Sequence, residues 1–201
     1  MFASPSYPEP SAQEIDAFVS RQWCGKVIAT DADGFPHVSI LPFLKQGERI
    51  EIHMVQADPT FAALRAAGRG AFLLDQPLAF TPHHLVAERD AGMATLHFRA
   101  VLFRVIAEVS TEPAEVAAAL ERLLAAYQGD AAWDPVVDGE AYGGRLRRLA
   151  VARLRVVGVE AKFKVAQNRA PAERARLLQY LRAAGQESAA AELQAAAPRE
   201  G

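Results

Sequence analysis

The feature that most constrains the fold of this chain is a succession of β-patterned runs, punctuated by turn residues, that leaves room for only a few helices. Runs near residues 25–30, 37–43, 49–55, 70–75 and 79–81 are short, whereas those at 93–109 and 153–165 are long. Asp33-Gly34 between the first two reads as a hairpin turn. Helix signals are sparser. Ser11-Ala12-Gln13-Glu14 is a capping box ahead of a stripe of Ile15, Phe18 and Val19. Asp58 followed by Pro59 opens a short helix that Gly68 ends. Residues 112–127 put Val116, Leu120, Leu123 and Leu124 on one face, and 171–184 form another helix. Residues 1–10 are rich in proline and read as extended, 82–92 as a polar loop, and 129–144 as an irregular connection. Many strands with few helices predict an α+β chain built as a β-barrel with peripheral helices. The folded domain is expected over residues 1–185, followed by an Ala-rich tail, 186–201. The tail is helix-prone but too short to be helical without packing.

The chemistry concentrates in Lys162-Phe163-Lys164-Val165-Ala166-Gln167-Asn168-Arg169. On a strand, Lys162, Lys164 and Ala166 would share one face and Phe163 and Val165 the other. Two ammonium groups followed by two amides and a guanidinium make a donor-rich surface suited to phosphate or another hydrogen-bonding anion. A merely solvated polar face accounts for the same eight residues.

Other constellations are weaker. His53 and His97 lie on strands among apolar neighbours and read either as hydrogen-bonded interior histidines or as ligand contacts. His83-His84 matches no metal-ligand spacing. There is no phosphate-cradling glycine loop and no nucleophile elbow. Arg145, Arg147, Arg148, Arg153 and Arg155 form the densest basic cluster, expected to pair with carboxylates rather than with nucleic acid. The net charge of −2 argues against a nucleic-acid footprint. Cys24 is the only cysteine, which excludes an intramolecular disulfide and a thiolate metal cluster. The absence of a long apolar run predicts no membrane span, and the N-terminus does not read as a secretory signal, so a cytoplasmic protein is expected.

Taken in order, the motifs resemble those of the PaiB-type FMN-binding negative transcriptional regulators. The DG-x-P hairpin is Asp33-Gly34-Phe35-Pro36, and the H-L-P-like strand is Ile40-Leu41-Pro42. The GH…NP-W element corresponds to Ile52-His53…Asp58-Pro59-Thr60-Phe61, and GP-x-AY-x-S to Gln76-Pro77-Leu78-Ala79-Phe80-Thr81-Pro82. The P-T-W-N-Y strand matches Ala94-Thr95-Leu96-His97-Phe98, and K-x-K-L-S-Q-N-R matches Lys162 to Arg169. The resemblance implies a split β-barrel of the FMN-binding, pyridoxamine-phosphate-oxidase-like type, assembled as a homodimer. It also implies an FMN site built from His53, Thr81, His97, Lys162, Lys164, Gln167, Asn168 and Arg169. Any enzymatic activity would be that of a flavin-dependent oxidoreductase, and contact with nucleic acid is implied by the resemblance alone.

The chain departs from that pattern at Ile40 for histidine, Ile52 for glycine, Asp58 for asparagine, and Leu96-His97-Phe98 for Trp-Asn-Tyr. A lost hydrogen-bonding group, a branched side chain near a ligand and a carboxylate near a phosphate all predict weakened flavin binding. Two other readings stay open: a flavin-free regulatory or partner-binding split barrel, and a barrel for haem or another planar ligand with His53 or His97 as axial ligand.

Overall fold

The computed structural model describes residues 6–196. The ends of the expected extended N-terminus (1–5) and of the tail (197–201) lie outside the described residues. The strands are β1 (Cys24–Thr30), β2 (Pro36–Pro42), β3 (Leu44–Gln46), β4 (Arg49–Val55), β5 (Arg69–Thr81), β6 (Thr95–Ser110) and β7 (Leu149–Lys164). They form a sheet in the order β2-β1-β5-β6-β7-β4-β3. The helices are α1 (Ala12–Val19), α2 (Pro59–Ala67), α3 (Pro113–Tyr127), α4 (Gly143–Leu146), α5 (Pro171–Ala183) and α6 (Glu187–Ala195). The chain divides into two compact units. One draws on Met1–Ala17, Asp75–Val101 and Glu160–Gly201, the other on Phe18–Leu74 and Leu102–Val159.

In the second unit, β1 and β2 form the expected hairpin, with Cys24 opposite Pro42 and Thr30 opposite Pro36. Gly34 takes φ +89°, and Asp31 accepts hydrogen bonds from the Asp33 and Phe35 amides. A side chain at Gly25 would collide with the Phe72 ring, which packs edge-on against Phe43. Strand β4 pairs with β7 so that Ile52 faces Ala152 and His53 faces Val151. Alternation buries Ile50, Ile52 and Met54 with Ala150, Ala152 and Leu154 on one face. On the other side of this pair, α3 packs Val116, Ala117 and Ala119 with Val151 and Leu146.

In the first unit, Val165, Leu177, Leu181, Ala190 and Leu193 form one apolar cluster, so α5 and α6 pack as a pair. This is the packing that the Ala-rich segment needs to be helical. Two buried arginines fasten it. Arg99 donates to the Glu192 carboxylate at 2.6 Å and to the Glu192 carbonyl at 3.2 Å. Arg174 donates to the carbonyls of Leu193, Gln194 and Ala196.

Several boundaries differ from expectation. The two runs at 70–75 and 79–81 are one strand, β5, and Pro77 sits within it with an exposed side chain. Strand β3 was not anticipated; Gly47, at φ +56°, turns it back onto β4. The 82–92 loop holds two short 3-10 turns, His83–Leu85 and Ala91–Met93. Strand β7 starts at Leu149 and stops at Lys164, so Ala166 is not on the strand face shared by Lys162 and Lys164.

Candidate functional site

Seven of the eight residues singled out by sequence fall in the first unit, where β5 ends, β6 begins and β7 ends. The strand stops at Lys164 because the backbone turns at Ala166, which takes φ +60°, a left-handed conformation that L side chains adopt at a cost. Gln167 holds that turn. Its side-chain carbonyl accepts from the Val165 amide at 2.8 Å, and its amide donates to the Phe163 carbonyl at 2.7 Å. Gln167 is buried, so its role is to shape the turn, while Asn168 next to it is exposed. Pro171 then starts α5, and Arg174 from the first turns of that helix reaches the Val165 and Ala166 carbonyls at 3.4 and 3.3 Å.

Alternation along β7 keeps Lys162 and Lys164 together while Phe163 is buried on the other face. The two ammonium groups lie 5.9 and 5.1 Å from the Tyr7 ring centroid, within cation–π range. Lys164 also donates to the Thr95 hydroxyl. Burial, reinforced by Lys162 and Arg169, lowers the Lys164 pKa below its ordinary value. Arg169 makes a long ion pair, 3.9 Å, with Glu173 one helical turn on.

His97 is buried, and its Nε2 lies 2.6 Å from the hydroxyl of Thr81, itself buried. Its Nδ1 has no hydrogen-bond partner among the described residues. Burial chiefly, with the charges of Lys164, Arg169 and Arg174, pushes its pKa down to about 4, against a weaker opposing pull from the Lys164 backbone. The ring is therefore neutral at pH 7. Thr81 and His97 form a polar pair inside the unit.

His53 belongs to the second unit. It is half-buried on the β4–β7 face that carries α3, and burial lowers its pKa while Glu51 opposes the shift. Three of the substituted motif positions, Ile40, Ile52 and Asp58, are also in that unit, and Leu96-His97-Phe98 lies in the first. Ile40 is 66 % exposed on β2. Ile52 is buried with its side chain in the core, so the expectation that its branched chain obstructs a ligand is corrected: alternation turns it inward. Asp58 caps α2, accepting from the Thr60 amide at 2.8 Å and the Ser39 hydroxyl at 2.6 Å. Burial raises the Asp58 pKa, and these bonds together outweigh it. Among the basic cluster, Arg147 pairs with Asp138 at 3.0 Å and Arg153 with Glu115 at 2.6 Å, as expected of arginines near carboxylates. Arg145 instead lies over the Tyr142 ring.

Sequence reasoning passed over Arg174, Thr95 and Tyr7. Only Arg174 left a signal: it occupies the same helical face as Leu177, Leu178 and Leu181, at spacings of three, four and seven. A cation on an apolar stripe marks a buried, multiply bonded side chain. Among the described residues no group of three or more histidines, cysteines or carboxylates could hold a metal, and no helix is long and apolar enough to cross a membrane.

Comparison with known proteins agrees with the expected fold. The family described as "Putative FMN-binding domain" matches residues 1–161. No curated protein matches the chain. Among solved structures, the flavocytochrome Anf3 from Azotobacter vinelandii superposes with a TM-score of 0.60 at 20% identity, over 77% of this chain and 67% of that one. A conserved hypothetical protein, Rv2991, from Mycobacterium tuberculosis does so at 0.57 and 19%, over 81% and 90%. A FAD and heme binding protein from Mycobacterium smegmatis gives 0.53 and 15%, over 77% and 71%. The fold is of the flavin-binding split-barrel type, in an α+β chain with a seven-stranded antiparallel sheet.

Proposed function

The chain belongs to the putative FMN-binding domain family, and from that premise we propose that it binds FMN, with the flavin phosphate taken by Lys162, Lys164, Asn168 and Arg169. The observation that carries this reading is the electrostatics of Lys164. Its ammonium is half-buried beside Lys162 and Arg169, and it meets a hydroxyl and a ring but no carboxylate among the described residues. A phosphate dianion there offsets the burial, and the repulsion from Lys162 and Arg169, that lower its pKa. Gln167 supports the group by fixing the turn, and Thr95 orients the ammonium. Bound flavin would supply the redox chemistry, so any catalysis would be that of a flavin-dependent oxidoreductase. Thr81 engages the Nε2 of His97 in the interior, and the pair acts by shaping the unit. His53, half-buried on β4 in the other unit, stays a candidate through the family resemblance alone.

Replacing Lys164 or Arg169 by alanine should weaken FMN binding about ten- to hundredfold, the value of a hydrogen bond to a charged group. Quenching of flavin fluorescence on titration measures it. Unchanged curves for both variants would remove these residues from the site. Weak affinity is expected of the unaltered chain too, because it departs from the family pattern at Ile40, Asp58 and Leu96-His97-Phe98. That expectation rests on fewer substitutions than sequence suggested, since Ile52 faces the core. The same departures favour the second reading, a flavin-free regulatory or partner-binding module, which requires no FMN binding even at excess flavin. Haem ligation by His97 is disfavoured by its burial and by the hold of Thr81 on its Nε2. A relationship to PaiB-type negative regulators rests on the Lys162–Arg169 signature, and with a net charge of −2 any contact with nucleic acid would be local.

We also propose that the functional form is a homodimer. In the second unit Trp23, Phe35, Val38 and Ile40 are 66, 69, 55 and 66 % exposed, an apolar group on and around the β1–β2 hairpin. A second copy that covers it would remove that surface from water. Light scattering should give a mass near twice 21.7 kDa at micromolar concentration. A monomer mass would sink the idea.

A further inference from the structure

The second unit holds a cluster of arginines whose charge its carboxylates do not balance. The register of β4 and β7 sets Arg49 directly opposite Arg155 and Glu51 opposite Arg153. Directly opposed side chains share a face, and like charges there destabilise a sheet. The nearby carboxylates are already engaged. Glu51 accepts both arms of the Arg122 fork, at 2.9 and 2.8 Å, and lies 3.5 Å from Arg153. Glu115 accepts from Arg153 at 2.6 Å. Arg49 and Arg155 are exposed and have no carboxylate partner among the described residues. A cavity of about 360 Å³ opens at this point, lined by Arg49, Arg122, Arg153, Glu51, Gln46 and Leu44 among others. Its three guanidinium groups face one carboxylate.

We propose that this cavity binds a small, multiply charged oxyanion, a phosphate ester or pyrophosphate group, gripped by Arg49 with Arg155 beside it. Two unmatched guanidinium groups call for about two negative charges, and their planar forks match paired phosphate oxygens. The Arg122–Glu51–Arg153–Glu115 chain of ion pairs is balanced in charge and holds the neighbouring side chains in place, so the excess positive charge is that of Arg49 and Arg155. A small anion suits the site better than a nucleic-acid backbone. The cluster lines a cavity with a carboxylate, Glu51, in its wall, whereas a nucleic-acid surface is a basic patch or stripe. The site shares no residue with the Lys162–Arg169 group, and the inference stands or falls independently of flavin binding.

The test is calorimetric titration of the full chain with sodium pyrophosphate in a phosphate-free buffer. Saturable binding is expected, weakened about tenfold or more in Arg49→Gln and in Arg155→Gln, and unchanged in Lys164→Ala. Both substituted arginines are exposed, so the variants should fold. Their melting temperatures without ligand should equal or exceed that of the unaltered chain, because a like-charge pair is relieved. No saturation at millimolar pyrophosphate would overturn the proposal, as would unaltered affinity in both arginine variants. Loss confined to Lys164→Ala would place the anion with the flavin group instead. Tighter binding of a duplex oligonucleotide, abolished by the same two arginine substitutions, would overturn it in favour of nucleic acid.

Discussion

Arg174→Ala should release helix α6 and cost the protein about 3 kcal/mol or more, the sum expected when several buried carbonyls lose a charged donor. Arg174 is 8 % exposed and bridges two stretches of backbone. One amino group of its guanidinium reaches the Val165 and Ala166 carbonyls, and the other reaches those of Leu193, Gln194 and Ala196. The last turn of any helix leaves carbonyls without intrahelical partners, and here one side chain reaches those of Leu193 and Gln194 in α6. The same fork steadies the left-handed Ala166, so the turn after β7 and the docking of α6 share a single support. Burial pulls the Arg174 pKa down, yet an arginine remains charged. Arg174→Lys keeps the charge but has no planar fork to span two backbone stretches, so it should recover only part of the loss. Denaturant unfolding measures the stability, and limited proteolysis within 187–196 reports the release of α6. An unaltered midpoint with an unaltered cleavage pattern would show that Ala190 and Leu193 alone hold the helix.

How legible this was in the sequence differs element by element, for physical reasons. Helix α2 was fully readable because its signals are local. Asp58 caps it through the Thr60 amide, Pro59 begins it, and Gly68 ends it at φ +61°. The capping box before α1 was equally local, with Ser11 and Glu14 bonded to each other's amides at 2.8 and 3.2 Å. The continuity of β5 was hidden because Pro77 reads as a break, although an exposed position tolerates a missing N–H. The end of β7 was hidden for another reason. Nothing about Ala166 announces a left-handed turn, which is imposed by Gln167 from the following residue and by Arg174 from the next helix. The candidate site shows the same division. That Lys162 and Lys164 share a face follows from alternation and was readable. The Thr81–His97 pair spans two strands, and its closeness could not be read from either run. The inward face of Ile52 was available in the sequence, since Ile50, Ile52 and Met54 already mark the apolar side of β4. A motif-by-motif comparison treats that position as a contact and overlooks its face. The Arg49–Arg155 opposition depends on strand register, which no spacing within either run discloses.

Lowering the pH from 6.5 towards 4 should destabilise the protein by up to about 3 kcal/mol through His97 alone, at 1.36 kcal/mol for each decade separating its folded and unfolded pKa values. The sign follows from which state binds the proton. In the unfolded chain the ring titrates near 6.5, whereas in the folded protein burial and the charges of Lys164, Arg169 and Arg174 hold it at about 4. Between those values the unfolded state carries more protons, so stability falls as pH falls. Above 6.5 the neutral ring costs nothing further, and below about 4 the loss saturates because the folded state is protonated too. His53 is also lowered and adds a contribution of the same sign. The carboxylates of Glu51 and Asp58, whose pKa values are likewise lowered, act in a more acidic window, below their ordinary values of 4.5 and 3.8. Comparison with His97→Gln isolates the one residue. The amide can keep a hydrogen bond to the Thr81 hydroxyl but does not titrate, so the variant's stability should vary less between pH 6.5 and 4.5. Denaturant midpoints of the two proteins at three or four pH values across that range are sufficient. Parallel profiles would mean that His97 takes up its proton in the folded state at an ordinary pH. The Thr81–His97 pair would then be open to water or to an anion, contrary to the burial described here.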